Sequence, residues 1–216
     1  MQRRLLSRSL FPIDVLNSGE LTLNNGAVLT NGLLQLTDGG GGEIRSAFYN
    51  TPLPVSTFAT DFTFQLTNAV ADGFTFTIQN DPKSVRALGY GGGGLGYQSI
   101  QNSVALKFDI YNNAGEGTDS IGVYTNGAAP TVPATDLTPS GLVLKSGDLF
   151  HAYLVYNGTV LTVTLTDTVT GVVSSNQFTV DIRSAVSGSS AYVGFTAGTG
   201  AYTAIQEITG WTYSAQ

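Results

Sequence analysis

The sequence predicts an all-β protein, a sandwich of two large antiparallel sheets, and three observations carry that expectation. Apolar and polar residues alternate with a period of two in many short runs separated by turn signals. Charged residues make up only 11% of the chain while glycines number 27, a balance that suits strands and tight turns better than helices. The 216 residues are enough to bury a substantial core in a single domain of this class. Helix is expected only as short turns.

The elements follow in order along the chain. Residues 1–10 carry Arg3, Arg4 and Arg8 without the apolar stretch of roughly 7–15 residues that a targeting peptide needs. They read as a tail or an extra strand, and the domain proper is expected over 11–216. Phe58, Phe62, Phe64 and Leu66 share one strand face, and Phe74, Phe76 and Ile78 share another. Val104, Leu106, Phe108 and Ile110 form a further apolar face, opposed by Lys107, Asp109 and Tyr111. One side of that strand builds core and the other a polar site. Leu161, Val163 and Leu165 oppose Thr162, Thr164 and Thr166. All of these are expected to be half-buried. Asn157-Gly158 lies between two such runs, a hairpin signal of the type I′ kind, in which both central residues take positive φ. Residues 192–195 and 205–213 read as closing strands.

Charge and composition exclude several functions. A net charge of −6 with nine basic residues argues against nucleic acid, because phosphate binding needs clustered Lys and Arg. No run approaches the roughly 20 apolar residues of a membrane span, so no membrane insertion is expected. The absence of cysteine excludes a disulfide framework and thiol chemistry. An enzyme is not expected either. A Ser-His-Asp site would have to use the single histidine, His151, and no nucleophile-elbow motif is present. Glycoside hydrolysis needs two carboxyl groups facing each other at about 5–9.5 Å. Of Glu20, Glu43, Glu116 and Glu207, only Glu116 has an acidic neighbour at short range, Asp119, and both lie in a loop.

Three motifs carry chemistry. Asp109 and Asn113 are hard oxygen donors of the kind calcium selects, in a Gly-rich loop whose carbonyls can add to them. An EF-hand is excluded, because the third loop position would be Tyr111 and the twelfth Ser120. Gly91-Gly92-Gly93-Gly94-Leu95-Gly96 is followed by Tyr97-Gln98-Ser99, which offers no helix N-terminus for a phosphate cradle. By itself it reads as a flexible surface loop. Asp72-Gly73 reads locally as a turn.

Taken together, the segments in sequence order resemble the legume-type lectin fold, especially its bacterial lectin-like relatives. They are Ser46-Ala47-Phe48-Tyr49-Asn50-Thr51-Pro52, Phe58-Ala59-Thr60-Asp61-Phe62-Thr63-Phe64, Ala71-Asp72-Gly73-Phe74 and Gly92-Gly93-Gly94-Leu95-Gly96 in the first half. Lys107-Phe108-Asp109-Ile110-Tyr111-Asn112-Asn113, Ser120-Ile121-Gly122-Val123, Val193-Gly194-Phe195-Thr196-Ala197-Gly198-Thr199-Gly200-Ala201 and Ile208-Thr209-Gly210-Trp211-Thr212-Tyr213 complete the series. The resemblance implies a concanavalin A-like β-sandwich, or jelly roll, in which the last strand pairs near the first. It implies a calcium-dependent carbohydrate-binding domain used for glycan recognition or adhesion, in an extracellular or cell-surface location.

It also implies roles for particular residues. Asp72 would accept hydrogen bonds from two sugar hydroxyls after a cis peptide bond, and the Gly93 N–H would donate to another. Asn113 and the ring of Tyr111 would complete the pocket, with Gly200, Ala201 and Tyr202 forming a fourth, specificity-tuning loop. Asp109, the Tyr111 carbonyl and Asn113 would hold Ca2+ with one further carboxylate, either Glu116 or Asp119. Three departures stand out. Gly94 replaces a usual aromatic, and Lys107 and Ser120 stand where the family places a Glu and a His for a transition metal, so that ion is not expected. The Lys107 ammonium could supply the missing charge. The alternative to sugar binding is a structural, self-assembling surface protein, with homo-oligomers formed through open sheet edges.

Overall fold

The computed structural model describes residues 12–216, so the expectation for residues 1–10 lies outside the described residues. Among the described residues sixteen strands run in chain order: β1 (Ile13–Asp14), β2 (Leu21–Asn24), β3 (Val28–Thr30), β4 (Leu33–Asp38), β5 (Ile44–Tyr49), β6 (Leu53–Pro54), β7 (Phe58–Thr67) and β8 (Gly73–Gln79) come first. They are followed by β9 (Ser103–Asp109), β10 (Ser120–Thr125), β11 (Thr135–Asp136), β12 (Leu149–Tyr156), β13 (Val160–Asp167), β14 (Val173–Thr179), β15 (Ser190–Gly198) and β16 (Ile205–Ala215). The α-helix α1 (Ile182–Ala185) spans a single turn, as the glycine-rich, charge-poor composition leads one to expect.

Two eight-stranded antiparallel sheets stack on each other. The back sheet has the order β14-β13-β12-β7-β16-β4-β3, with β1 paired to β16. The front sheet has the order β11-β10-β9-β8-β15-β5-β2, with β6 paired to β15. The last strand thus pairs with the first, Ile13 opposite Tyr213. Among the described residues no helix is long and apolar enough to cross a membrane.

The alternation in β7 becomes an alternation of burial along its whole length, with Phe58, Phe62, Phe64 and Leu66 fully buried. Phe62 sits at the centre of the core, stacked on Phe76 at 5.8 Å and meeting Phe108 and Phe195 edge-on at 5.7 and 5.0 Å. Such offset and edge contacts add to the large apolar area that each ring buries.

Two expectations are corrected. β8 and β9 are not half-buried, since every residue of both strands is buried. Loops cover the outer face of the front sheet and build a second apolar cluster there from Phe48, Ala87, Tyr97, Ile100, Ala105 and Tyr124. The hairpin between β12 and β13 forms, but not with a type I′ turn, because only Gly158 has positive φ, at 99°. The Asn157 carboxamide oxygen accepts the Thr159 and Val160 N–H groups at 3.0 and 2.9 Å, and this side-chain bonding sets the turn instead.

Replacing Phe62 with Ala should cost about 3–5 kcal/mol, because the five rings of Phe64, Phe74, Phe76, Phe108 and Phe195 would face a cavity that the sheets cannot close. Urea unfolding would measure it, and a loss below about 1 kcal/mol would mean that the core is not organised around this ring.

Candidate functional site

Four turns meet at one end of the front sheet. The first carries Asp72. Gly73 opens β8 with φ 144°, and a Cβ there would lie 2.3 Å from the Phe108 carbonyl oxygen, so only glycine permits this approach. The Asp72 carbonyl accepts the Ile110 N–H at 2.9 Å, which ties this turn to the end of β9. The Ala71–Asp72 peptide is cis, as the resemblance implied. Asp72 is only 5% exposed, and its Oδ2 has no hydrogen-bond partner. Burial pushes its carboxyl up to about 6, with the Gly200 amide offsetting this only in part.

Gly92–Gly94 form the second turn, closed by Leu95 in the left-handed region at φ 54°. The buried Thr196 hydroxyl donates to the Leu95 carbonyl at 2.8 Å and fastens this turn to β15. A Cβ on Gly93 would lie 2.6 Å from Asn113 Nδ2, so the Asn113 amide packs directly over the bare Gly93 backbone. Among the described residues the Gly93 N–H has no acceptor. At Gly94, which stands in place of the family's aromatic, a Cβ would meet Tyr90 Cβ at 3.1 Å, and Tyr90 itself is 62% exposed.

The remaining two turns face these. Tyr111 and Tyr202 are exposed, and their rings lie 5.8 Å apart at a tilt of 36°. Gly200 stands beside Asp72, a Cβ on it falling 3.4 Å from Oδ2, and Ala201 is exposed next to it. The turn between β4 and β5, not singled out from the sequence, braces this loop. Gly42 donates to the Gly200 carbonyl at 2.9 Å, Thr199 exchanges hydrogen bonds with Glu43, and the Thr199 hydroxyl donates to the Gly40 carbonyl. The run Gly39-Gly40-Gly41-Gly42 was the available signal, but its partner is far away in sequence.

Behind the turns lies a buried charge cluster. Lys107 is wholly buried, with Nζ 3.0 Å from Asp109 Oδ2 and 3.8 Å from Glu116 Oε1. Nζ also donates to the Thr131 carbonyl at 2.8 Å. Asp109 Oδ1 accepts the Tyr111 N–H at 3.0 Å. Burial raises the Asp109 carboxyl to about 6, against the lowering effect of Lys107 and the Tyr111 N–H. Asp119 faces elsewhere: its Oδ1 accepts the Leu144 N–H at 2.8 Å and its Oδ2 the Thr118 hydroxyl at 3.3 Å. Of the two carboxylates left open by the sequence, Glu116 is therefore the one that shares Lys107 with Asp109.

The donor set discriminates between ions. A transition metal does not fit, because the ammonium fills the space between the two carboxylates and cannot act as a ligand. Ser120, opposite Asp109 in register, offers only a buried hydroxyl without a partner. Among the described residues no three His, Asp or Glu side chains gather as a metal group, so any ion would draw on carbonyl and amide oxygens as well. Calcium accepts such donors. The hard oxygens of Asp109, the Tyr111 carbonyl and Asn113 lie in one turn, and buried Glu116 Oε1 has no hydrogen-bond partner.

The legume lectin domain model matches residues 9–216. The chain belongs to the legume lectin domain family. Favin from Vicia faba is 30% identical over 218 aligned positions, covering 91% of this chain and 90% of its own length. A lectin from Bauhinia forficata solved in complex with GalNAc superposes with a TM-score of 0.78 at 26% identity, covering 94% of this chain and 97% of that one. The metal-free form of lectin I-B4 from Griffonia simplicifolia also gives a TM-score of 0.78, at 25% identity and covering 94% and 98% of the two chains. The two-sheet sandwich is thus the legume lectin fold, and the chain has the carbohydrate-binding lectin function of its family. The family is typically non-enzymatic and generally binds metal ions.

Asp72 should leave a signature in the stability of the lectin. Its folded pKa of about 6 lies above the ordinary value of 3.8, so burying the neutral acid favours folding. That contribution is complete below about pH 4 and is lost as pH rises through about 6. Urea unfolding between about pH 4 and 8 should show the native chain losing stability relative to Asp72→Asn as pH rises. A pH-independent difference would contradict the shifted carboxyl.

Proposed function

We propose that this lectin binds neutral glycans at the meeting point of the four turns. The observation that carries this reading is the buried Asp72 Oδ2 without a donor, beside backbone that bears no side chains at Gly92, Gly93 and Gly200. A buried acceptor left unpaired costs about 1–3 kcal/mol, and adjacent sugar hydroxyls supply the donors. In this reading Asp72 accepts from two hydroxyls, the Gly93 N–H donates to one, and the Asn113 amide holds a third contact. Tyr111 and Tyr202 offer ring faces to the apolar C–H patches of a pyranose. Gly200 and Ala201 bring backbone close to the sugar edge. Uncharged sugars suit a pocket whose floor is a carboxylate in a chain of net charge −6.

Calcium is proposed at Asp109, the Tyr111 carbonyl, Asn113 and Glu116, where it would stiffen the turn that presents Asn113. We place the protein outside the cell or on its surface, acting in glycan recognition or adhesion. For self-association, the sheet edges among the described residues are β14 and β3 in the back sheet and β11 and β2 in the front sheet, with exposed Val173 on β14.

A glycan array run with and without calcium tests the reading. Binding to neutral sugars, weaker on their sialylated or uronic-acid counterparts, is expected. Asp72→Asn should weaken binding by about 1.5–3 kcal/mol with the fold intact, since a charged acceptor becomes a neutral amide. Asn113→Ala should lose glycan and calcium together, whereas Tyr202→Ala should change the preferred glycan and leave the calcium-induced rise in melting midpoint unchanged. Unaltered glycan binding by both Asp72→Asn and Asn113→Ala would sink this site.

A further inference from the structure

We propose that the Lys107 ammonium is the resident cation of this site, a positioning residue that clasps Asp109, Glu116 and the Thr131 carbonyl and so holds Tyr111 and Asn113 in place without a transition metal. The proposal rests on the glycan-binding reading above and deepens it. Three separate segments converge on one nitrogen: β9 through Asp109, the following turn through Glu116, and the loop after β10 through Thr131. An ammonium has three protons and no acceptor, which suits a point charge set among oxygens. Two of its contacts are hydrogen bonds, at 3.0 and 2.8 Å, and Glu116 at 3.8 Å supplies a second negative charge.

The acceptors are themselves held in place. The Tyr124 hydroxyl is shared between the Thr131 and Pro133 carbonyls at 2.7 and 2.8 Å, and the Tyr124 ring lies 5.7 Å from Nζ. Gly122, paired with Lys107 across the strands, leaves room for that hydroxyl, since a Cβ there would fall 2.7 Å from it. On the other side the clasp passes its order outward to the ligand. Asp109 Oδ1 takes the Tyr111 N–H, Glu116 takes the Ala114 N–H, and Asn112 takes the Gly115 N–H at 2.7 Å. Asn113 sits inside this bonded turn, over Gly93. Without the ammonium, the two buried carboxylates would lose the cation that lies between them, and their mutual repulsion would strain the turn.

The test uses EDTA-treated protein returned to calcium, with and without manganese, read on the glycan array and by thermal melting. The native chain should bind its glycans equally, within about twofold, in both conditions, and manganese should not move its melting midpoint. Lys107→Met should weaken glycan binding by about tenfold or more whatever the ion, because the turn is no longer preorganised. Lys107→Glu should gain a manganese-dependent rise in melting midpoint, and with it manganese-dependent glycan binding. Native binding that requires manganese would overturn the proposal while leaving the glycan reading intact, as would full binding by Lys107→Met. Should the native chain bind no glycan in either condition, the glycan reading fails. Melting then still decides the cation, since a manganese effect on the native chain refutes the proposal and an effect confined to Lys107→Glu supports it. If the variants do not fold, the effect of manganese on the native chain decides alone.

Discussion

The site depends on one constraint: β8 and β9 are covered on both faces. A strand sends successive side chains to opposite sides, so burying both faces leaves every second residue of a half-polar strand without water. Each such residue must find its partner inside the protein. The front sheet meets this demand in two ways. Thr75 bonds Thr77 at 2.6 Å and Thr196 at 2.7 Å, and Thr196 reaches on to the Leu95 carbonyl. On the neighbouring strand, Lys107, directly opposite Thr75, pairs with Asp109. The hydroxyl chain fixes the glycine turn and the ion pair fixes the Tyr111 turn. The polar side of the sheet is therefore the framework from which the ligand-facing loops hang.

A buried ion pair is weak evidence for stability, because desolvating both partners offsets most of their attraction. Its value here is geometric. A hydrophobic pair at positions 107 and 109 would fill the same space, yet it would leave the Tyr111 N–H without its acceptor and the Thr131 carbonyl with the Tyr124 hydroxyl alone. The same reasoning explains the β4–β5 turn, which contributes backbone donors and acceptors that hold Thr199 and Gly200 against Asp72.

The fold was legible in the sequence wherever local pattern decides it. The alternation of Phe58, Phe62 and Phe64 maps directly onto alternating burial, and the segments around Asp72, Gly93 and Asn113 meet in space. Where tertiary structure decides, the sequence was silent. Alternation in β9 implied one wet face, because nothing local announces that Tyr97, Ile100 and Tyr124 will roof it over. Which of Glu116 and Asp119 lies beside Lys107 depends on a distant residue, since the Leu144 N–H, 25 residues away, bonds Asp119. The Thr131 carbonyl could not have been found at all, since a main-chain acceptor leaves no residue signature. Asn157-Gly158 marked its hairpin correctly, but the Asn side chain competed with the backbone and chose a different turn.

Asp72 and Asp109 show how the fold separates two like groups. Burial raises both carboxyls to about 6, so desolvation alone does not distinguish them. Their partners do. Asp109 has both oxygens occupied, one by Lys107 and one by the Tyr111 N–H, and so it is committed to structure. Asp72 keeps Oδ2 without a donor, in a setting where the nearest side chains have been reduced to glycine hydrogens. An unsatisfied buried acceptor walled by glycines rather than by side chains is a poor structural element and a good ligand contact. The asymmetry begins one layer down: the ammonium that neutralises Asp109 is fully engaged before it reaches the surface, which leaves Asp72 to be satisfied from outside.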